Sequence, residues 1–298
     1  MTAGTPLPVL LDCDTANEID DQYAIAYALG SPSLDVRGVI SVHDTYIHGP
    51  GSVERYQEEA ERVVRLCGRR DVPCVRGATR PMESRDEVLR SDGLELLIET
   101  ARAATQPLHI LATGPLTDVA ALLLAAPELA ERVRVVWMGG FAHADVFRQF
   151  RFSDLNGRAD IAAWRVVLER PVPLLHIPGW PGLIKLRVQY PEMIAALRAL
   201  ASPIAEYLAE ITEGWQNRTA KSLTLDDGGK VLWDVANVAA LTVPHAFTVE
   251  SLPCATLDAA AAHDFDRPGR TVEVVTDLDR DAILADMRVA FGRLPALV

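Results

Sequence analysis

The sequence has no CxxC pair, no basic run and no uninterrupted apolar stretch long enough to span a bilayer. Its four cysteines, Cys13, Cys67, Cys74 and Cys254, are scattered. That spacing argues against a zinc site or a disulfide scaffold and favours a reduced, cytoplasmic setting. Basic residues are outnumbered, 29 Lys and Arg against 41 Asp and Glu, for a formal charge of −12. A chain this acidic has little counterion-releasing surface, so a nucleic-acid partner is not expected. The most apolar long stretch, Leu108 to Ala126, contains His109, Asp118 and a Gly-Pro pair. It reads as a strand followed by a helix, and no membrane partner is expected. Met1 to Pro8 carries no basic residue and the run Val9-Leu10-Leu11 stops at Asp12, which is not a secretory leader pattern. No repeat appears, and the only biased segment is the short Ala259–Ala262.

What remains is ordinary globular composition: 298 residues, 49% hydrophobic and 23% charged. A chain of this length can bury roughly 75% of its unfolded surface without a staple. Short Leu- and Val-rich runs predict strands at Pro8–Cys13, Val36–Val42, Val72–Arg76, Leu108–Ala112, Val133–Met138 and Pro173–Ile177. Helical patterns fall between them at Asp20–Leu29, Ser52–Leu66, Asp92–Ala104, Leu116–Leu124 and Asp160–Glu169. Repeated β-α units with continuous apolar strands predict an α/β fold with a Rossmann-like, open, mostly parallel sheet flanked by helices. No composition shift marks a boundary, so residues 1–298 read as one domain with a more helical part from about 180. That part carries helical patterns at Pro191–Leu200, Ile204–Trp215 and Asp234–Leu241, then a strand at Arg270–Thr276 and a helix at Asp279–Phe291.

Ligands of open parallel sheets bind beyond the carboxyl ends of the strands. Directly after the first strand, Asp12, Asp14, Glu18, Asp20 and Asp21 place five acids in ten positions. Asp20 and Asp21 suit a first helical turn, whose dipole favours negative charge. Asp12 and Asp14 have no such reason. Carboxylates crowded at a strand end repel one another unless a cation intervenes. Between Met1 and Val36 there is no Lys or Arg, so a bound hard cation, calcium or magnesium, is the economical neutraliser. The competing reading is a solvated acidic loop.

The same stretch resembles the N-terminal signature of the inosine–uridine-preferring nucleoside hydrolases, D-x-D-P-G-x-D-D. Here the Pro-Gly turn is missing and the linker is two residues longer, closer to a D-T-D-A-N-N-E-x-D-D-Q subgroup that Asp12 to Gln22 match almost throughout. Thr113-Gly114-Pro115-Leu116-Thr117-Asp118 resembles T-G-P-L-T-N, and Trp137-Met138-Gly139-Gly140 resembles the M-G-G strand end. Asp154-Leu155-Asn156 with Asp160 resembles E-F-N-x-x-x-D-P, and Leu232-Trp233-Asp234 the late H-D or W-D motif. The resemblance implies the nucleoside hydrolase fold, hydrolysis of ribonucleosides to ribose and base, one bound calcium ion, and a homodimer or homotetramer. It implies that Asp14 is both general base and metal ligand. Asp21, the Thr113 carbonyl and Asp234 would complete the ligand set. Asp20 would accept the ribose 2′-hydroxyl, and Met138, Asp154 and Asn156 would meet the sugar; Asn17, in the longer linker, would either reach the sugar or form the turn.

Three positions depart from the pattern. His43 stands where an Asn usually meets the sugar; it either takes over that contact, binding a different substituent or acting as an acid, or is a structural histidine. Trp233 stands where some branches carry a His that protonates the base; an indole can only stack or exclude water. Asp154 is one methylene shorter than the usual Glu. The leaving-group acid is left open among His43, His143, Asp145, Arg151 and Arg158, with Trp180 and Trp215 as stacking candidates.

Two other functions fit parts of the sequence. Leu11-Asp12-Cys13-Asp14-Thr15 resembles the nucleophile loop of haloacid-dehalogenase-type phosphatases, but Ala16 stands where that motif needs Thr. The altered His43, Asp154 and Trp233 positions would also suit a non-catalytic, calcium-dependent sugar- or nucleoside-binding protein.

Overall fold

The computed structural model describes residues 5–150, 154–219 and 228–296. Ten strands are present: β1 (Leu7–Cys13), β2 (Leu34–Ser41), β3 (Cys74–Arg76), β4 (Leu108–Ala112), β5 (Val133–Met138), β6 (Leu174–Ile177), β7 (Arg187–Gln189), β8 (Gly229–Val231), β9 (Phe247–Leu257) and β10 (His263–Leu278). The helices are α1 (Asp20–Gly30), α2 (Ser52–Leu66), α3 (Asp92–Ala103), α4 (Thr117–Ala125), α5 (Ala144–Phe150), α6 (Leu155–Ala159), α7 (Ile161–Glu169), α8 (Tyr190–Arg198), α9 (Pro203–Thr219), α10 (Val235–Thr242) and α11 (Arg280–Phe291).

Eight strands form one sheet in the order β3-β2-β1-β4-β5-β6-β10-β9, with only β9 antiparallel to its neighbour. This is the open, mostly parallel α/β sheet that the apolar runs predict. Successive residues of a strand face opposite sides. Val9 and Leu11 therefore join a core with α1, α2 and α8 to α11, while Leu10 joins another with α3, α4 and α7. Burial on both faces explains why β1, β4 and β5 are mostly apolar rather than alternating.

The part after residue 180 differs from its sequence reading. It holds α8 to α11, but also the two longest strands, β9 and β10. Only Arg270–Thr276 of that pair is expected from the sequence. Only three of the eleven residues of β9 are buried and it contains Pro253, so it shows no buried period; an edge strand tolerates both. The small β7-β8 pair is also unforeseen, and it places Lys230 of β8 beside Glu18 and Asp20 of the loop after β1. No helix among the described residues is long and apolar enough to cross a membrane.

Candidate active site

Strand ends β1, β4 and β5 deliver their next residues to one cavity of about 320 Å³. Its lining includes Asp14, Asn17, Glu18, Asp20 and Asp21 from the loop after β1, and Thr113 after β4. Met138, Gly139 and Gly140 come from the end of β5, Asp154 and Asn156 from the start of α6, and Trp180, Trp233 and Asp234 from the later chain. Of the residues expected to hold the metal or meet the sugar, and of Trp233, every one except His43 is among them.

Two asparagines hold the strand ends in place. Asn237 Nδ2 donates to the carbonyls of Ala112 and Val136, each at 2.9 Å. Asn156 Nδ2 donates to the carbonyls of Thr113 and Met138, each at 2.8 Å. Asn156 thus spends its nitrogen on the backbone, and the group it can offer a ligand is the Oδ1 acceptor. The Thr113 carbonyl accepts from Asn156 and keeps a second lone pair for a cation.

The turn after β5 needs glycine. Gly139 and Gly140 have φ of 147° and 69°, and a Cβ on either would stand 2.7 Å from a tryptophan ring, Trp137 or Trp164 respectively. Asp154 secures this turn. Its Oδ1 accepts from the Gly140 N–H at 2.7 Å, and its Oδ2 accepts from the Gly157 N–H at 3.1 Å as the N-cap of α6. Burial, against the pull of these two amides, pushes its carboxyl up to about 6. Asp154 therefore lines the cavity while its oxygens are engaged by backbone, so its side chain is not free to reach out as a longer Glu would.

The acids form two sets. Lys230, from β8, is 6% exposed and lies 2.5 Å from Glu18 and 3.2 Å from Asp20. Asp20 Oδ2 also accepts the backbone N–H of Trp233 at 2.9 Å. Sequence reading missed Lys230 because the cation comes from far along the chain, not from the acidic segment itself. It neutralises the Glu18–Asp20 side of the cluster.

Asp14, Asp21 and Asp234 form no salt bridge among the described contacts, and Lys230 eases only the charge of Asp234, from a distance. Asn17 Nδ2 donates to Asp14 Oδ2 at 2.8 Å, and the Thr113 hydroxyl donates to Asp21 Oδ1 at 2.6 Å. Burial first, then the charge of Asp21, pushes the Asp14 carboxyl well above the usual range. Burial and Asp20 push Asp21 up to about 7. Burial, then Asp20, Asp21 and Asp14, raise Asp234 strongly. Asp234 Oδ1 is buried with no hydrogen-bond partner. Among the described residues, no three His, Cys, Asp or Glu side chains are already gathered at metal-holding spacing. The donor chemistry nonetheless fits a hard cation: buried, mutually repelling carboxylates and an unpartnered oxygen, all on one cavity. Asp12 lies behind this group, fully buried, with neither carboxylate oxygen partnered.

His43 is placed elsewhere. It is fully buried, and its Nε2 is 3.0 Å from the Thr117 hydroxyl. Thr117 donates its one proton to Asp160 Oδ2 at 2.8 Å, so His43 Nε2 is the donor to Thr117. Burial pushes the imidazole down to about 4, keeping it neutral. The expected sugar contact gives way to a buried network linking β2, α4 and α7. His143, Asp145, Arg158 and Trp215 do not line the cavity either. Arg151 lies outside the described residues. Trp180 does line it, with its ring 5.4 Å from that of Trp233 at an interplanar angle of 49°.

The chain is similar in sequence to the pyrimidine-specific ribonucleoside hydrolase RihA of Escherichia coli, with 29% identity over 81% of each chain. It is 30% identical to the enzyme of that name from Salmonella arizonae, over 70% of each. Among solved structures, a plant nucleoside hydrolase superposes with a TM-score of 0.78 at 18% identity, covering 96% of this chain and 99% of that one. A purine-preferring ribonucleoside hydrolase from Gardnerella vaginalis gives 0.77 at 22%, over 96% and 98%. These structures share the fold. Residues 9–285 match the family described as inosine-uridine preferring nucleoside hydrolase. The chain therefore belongs to that family of N-glycosyl hydrolases.

Proposed function

We propose that the protein hydrolyses the N-glycosidic bond of a ribonucleoside or related N-riboside, in a calcium-dependent reaction that yields ribose and a free base. One observation carries this reading. Asp14, Asp21, Thr113 and Asp234, from three separate parts of the chain, line one cavity together with the Trp180–Trp233 pair.

Calcium held by Asp14, Asp21, the Thr113 carbonyl and Asp234 would supply a polarised water and an anchor for vicinal sugar hydroxyls. Asp14 takes a proton from the attacking water as its oxygen bonds to the anomeric carbon. The bond from that carbon to nitrogen breaks, and its electron pair leaves on the base. Asp20 accepts the 2′-hydroxyl, and Asn156 Oδ1 accepts a neighbouring hydroxyl. Positive charge developing on the sugar is stabilised by the surrounding carboxylates. Trp180 and Trp233 offer apolar faces to an aromatic aglycone and exclude water from it. Asn17 acts through Asp14, and Met138 packs against the sugar.

Family membership sets aside the phosphatase reading of Asp12 to Thr15, since the match spans residues 9–285 rather than one loop. The nearer test separates hydrolysis from binding alone. Incubation with a ribonucleoside panel, with ribose and base quantified by chromatography, should give equal amounts of both from at least one member. Tight calorimetric binding of a nucleoside with no product would favour the non-catalytic reading. By kinship a homodimer or homotetramer is expected, which light scattering measures directly.

A further inference from the structure

We propose that Lys230 is a positioning residue for the reaction, aiming Asp20 at the sugar and tying Glu18 to the same anchor. Its ammonium group has three hydrogens and three acceptors. They are Glu18 Oε2 at 2.5 Å, Asp20 Oδ2 at 3.2 Å and the Val231 carbonyl at 2.6 Å. A buried ammonium is costly unless its donors are all used, and here they are.

The consequence falls on Asp20. Its Oδ2 accepts from both Lys230 and the Trp233 backbone, so this oxygen is saturated. The carboxylate cannot rotate without abandoning one of two buried donors. Oδ1 is left as the oxygen a ligand can meet, and Asp20 lines the cavity. The same ammonium fixes Glu18, which also lines the cavity. Lys230 thus joins the loop after β1 to the segment that supplies Trp233 and Asp234. Its own Nζ lies 5.7 Å from the Trp215 ring centre and 6.0 Å from that of Trp233, behind the cavity wall. It acts through Asp20 rather than on the substrate.

The inference rests on the ribonucleoside reading, in which Asp20 meets the 2′-hydroxyl. The test compares kcat/KM for one ribonucleoside and its 2′-deoxy and 3′-deoxy analogues in wild type, Lys230→Met and Lys230→Arg. Lys230→Met should cost the ribonucleoside on the order of 100-fold, as expected for an uncompensated buried pair, and the 2′-deoxy analogue only about 5-fold or less. Discrimination at the 2′ position then collapses while discrimination at the 3′ position survives. Lys230→Arg, which keeps the charge, should recover part of the 2′ discrimination. Equal losses on all three substrates, or an unchanged 2′ preference, would overturn the proposal. If circular dichroism shows Lys230→Met unfolded, the double variant Glu18→Gln, Lys230→Met removes the repelling charge and carries the same comparison. A wild type inert on every ribonucleoside would instead refute the function. A discriminating wild type matched by its variant would refute only the role of Lys230.

Discussion

Asp20 accepts the backbone N–H of Trp233, a residue 213 positions further along the chain, at 2.9 Å. This contact joins the acidic loop after β1 to the turn that opens α10. It ties the segment that supplies Asp14, Glu18, Asp20 and Asp21 to the one that supplies Asp234. The energetics of these carboxylates follow from that geometry.

Asp14 is buried beside Asp21, and its ionised form is disfavoured by burial and by that neighbour. We expect Asp14→Asn to lower turnover by about 1000-fold, as loss of a general base does. The same change should raise the melting temperature in EGTA by about 1 to 3 °C, because it removes a repelling buried charge. Differential scanning calorimetry beside a steady-state assay checks both. A variant that keeps full turnover would refute the role of Asp14.

Asn237 is fully buried and bridges the carbonyls of Ala112 and Val136. Asn237→Ala leaves both without that donor. The expected cost is about 2 to 3 kcal/mol, read from the urea midpoint. A change below about 0.5 kcal/mol would mean that the strand ends hold their spacing without it.

Asp154 titrates near 6 in the fold, against an ordinary value of 3.8. Between those values the native state binds more protons than the unfolded chain, so this group's contribution to stability falls as pH rises from about 4 to about 6 and is level above. Between pH 4 and pH 7 wild type should lose roughly 2 kcal/mol relative to Asp154→Asn. Denaturation of both proteins at pH 4 and pH 7 measures the difference, in which the other carboxyls cancel. Parallel pH dependence would contradict the assignment.

Ala16 sits in the linker between Asp14 and Asp20 with φ of 80°. A left-handed alanine costs roughly 1 to 2 kcal/mol, which glycine avoids. Ala16→Gly should leave stability unchanged or raise it by up to about 1 kcal/mol, whereas Ala16→Val should destabilise by about 2 kcal/mol. Thermal unfolding of the two variants separates them; equal effects would contradict the strain.

The layout of the sheet was legible because β1, β4 and β5 are largely buried on both faces and are mostly apolar, with single interruptions such as His109 and Arg134. The position of the site followed, since polar clusters end those runs. What was hidden is non-local. Lys230 neutralises Glu18 and Asp20 from a strand with no motif of its own. His43 looked like a sugar contact until Thr117, 74 residues later, engaged its ring. Asp154 looked like a shortened Glu, yet it caps α6 and holds the Gly140 amide. The β9 edge strand gave no periodic signal because only three of its eleven residues are buried, and those lie at one end.

The central claim is that Asp14, Asp21, the Thr113 carbonyl and Asp234 hold one calcium ion at the base of the cavity. Isothermal titration of calcium into protein stripped with EGTA, then dialysed free of it, tests this most directly. The account predicts uptake of a single equivalent, abolished in Asp21→Asn and in Asp234→Asn. No uptake by wild type, or undiminished uptake by those variants, would contradict it.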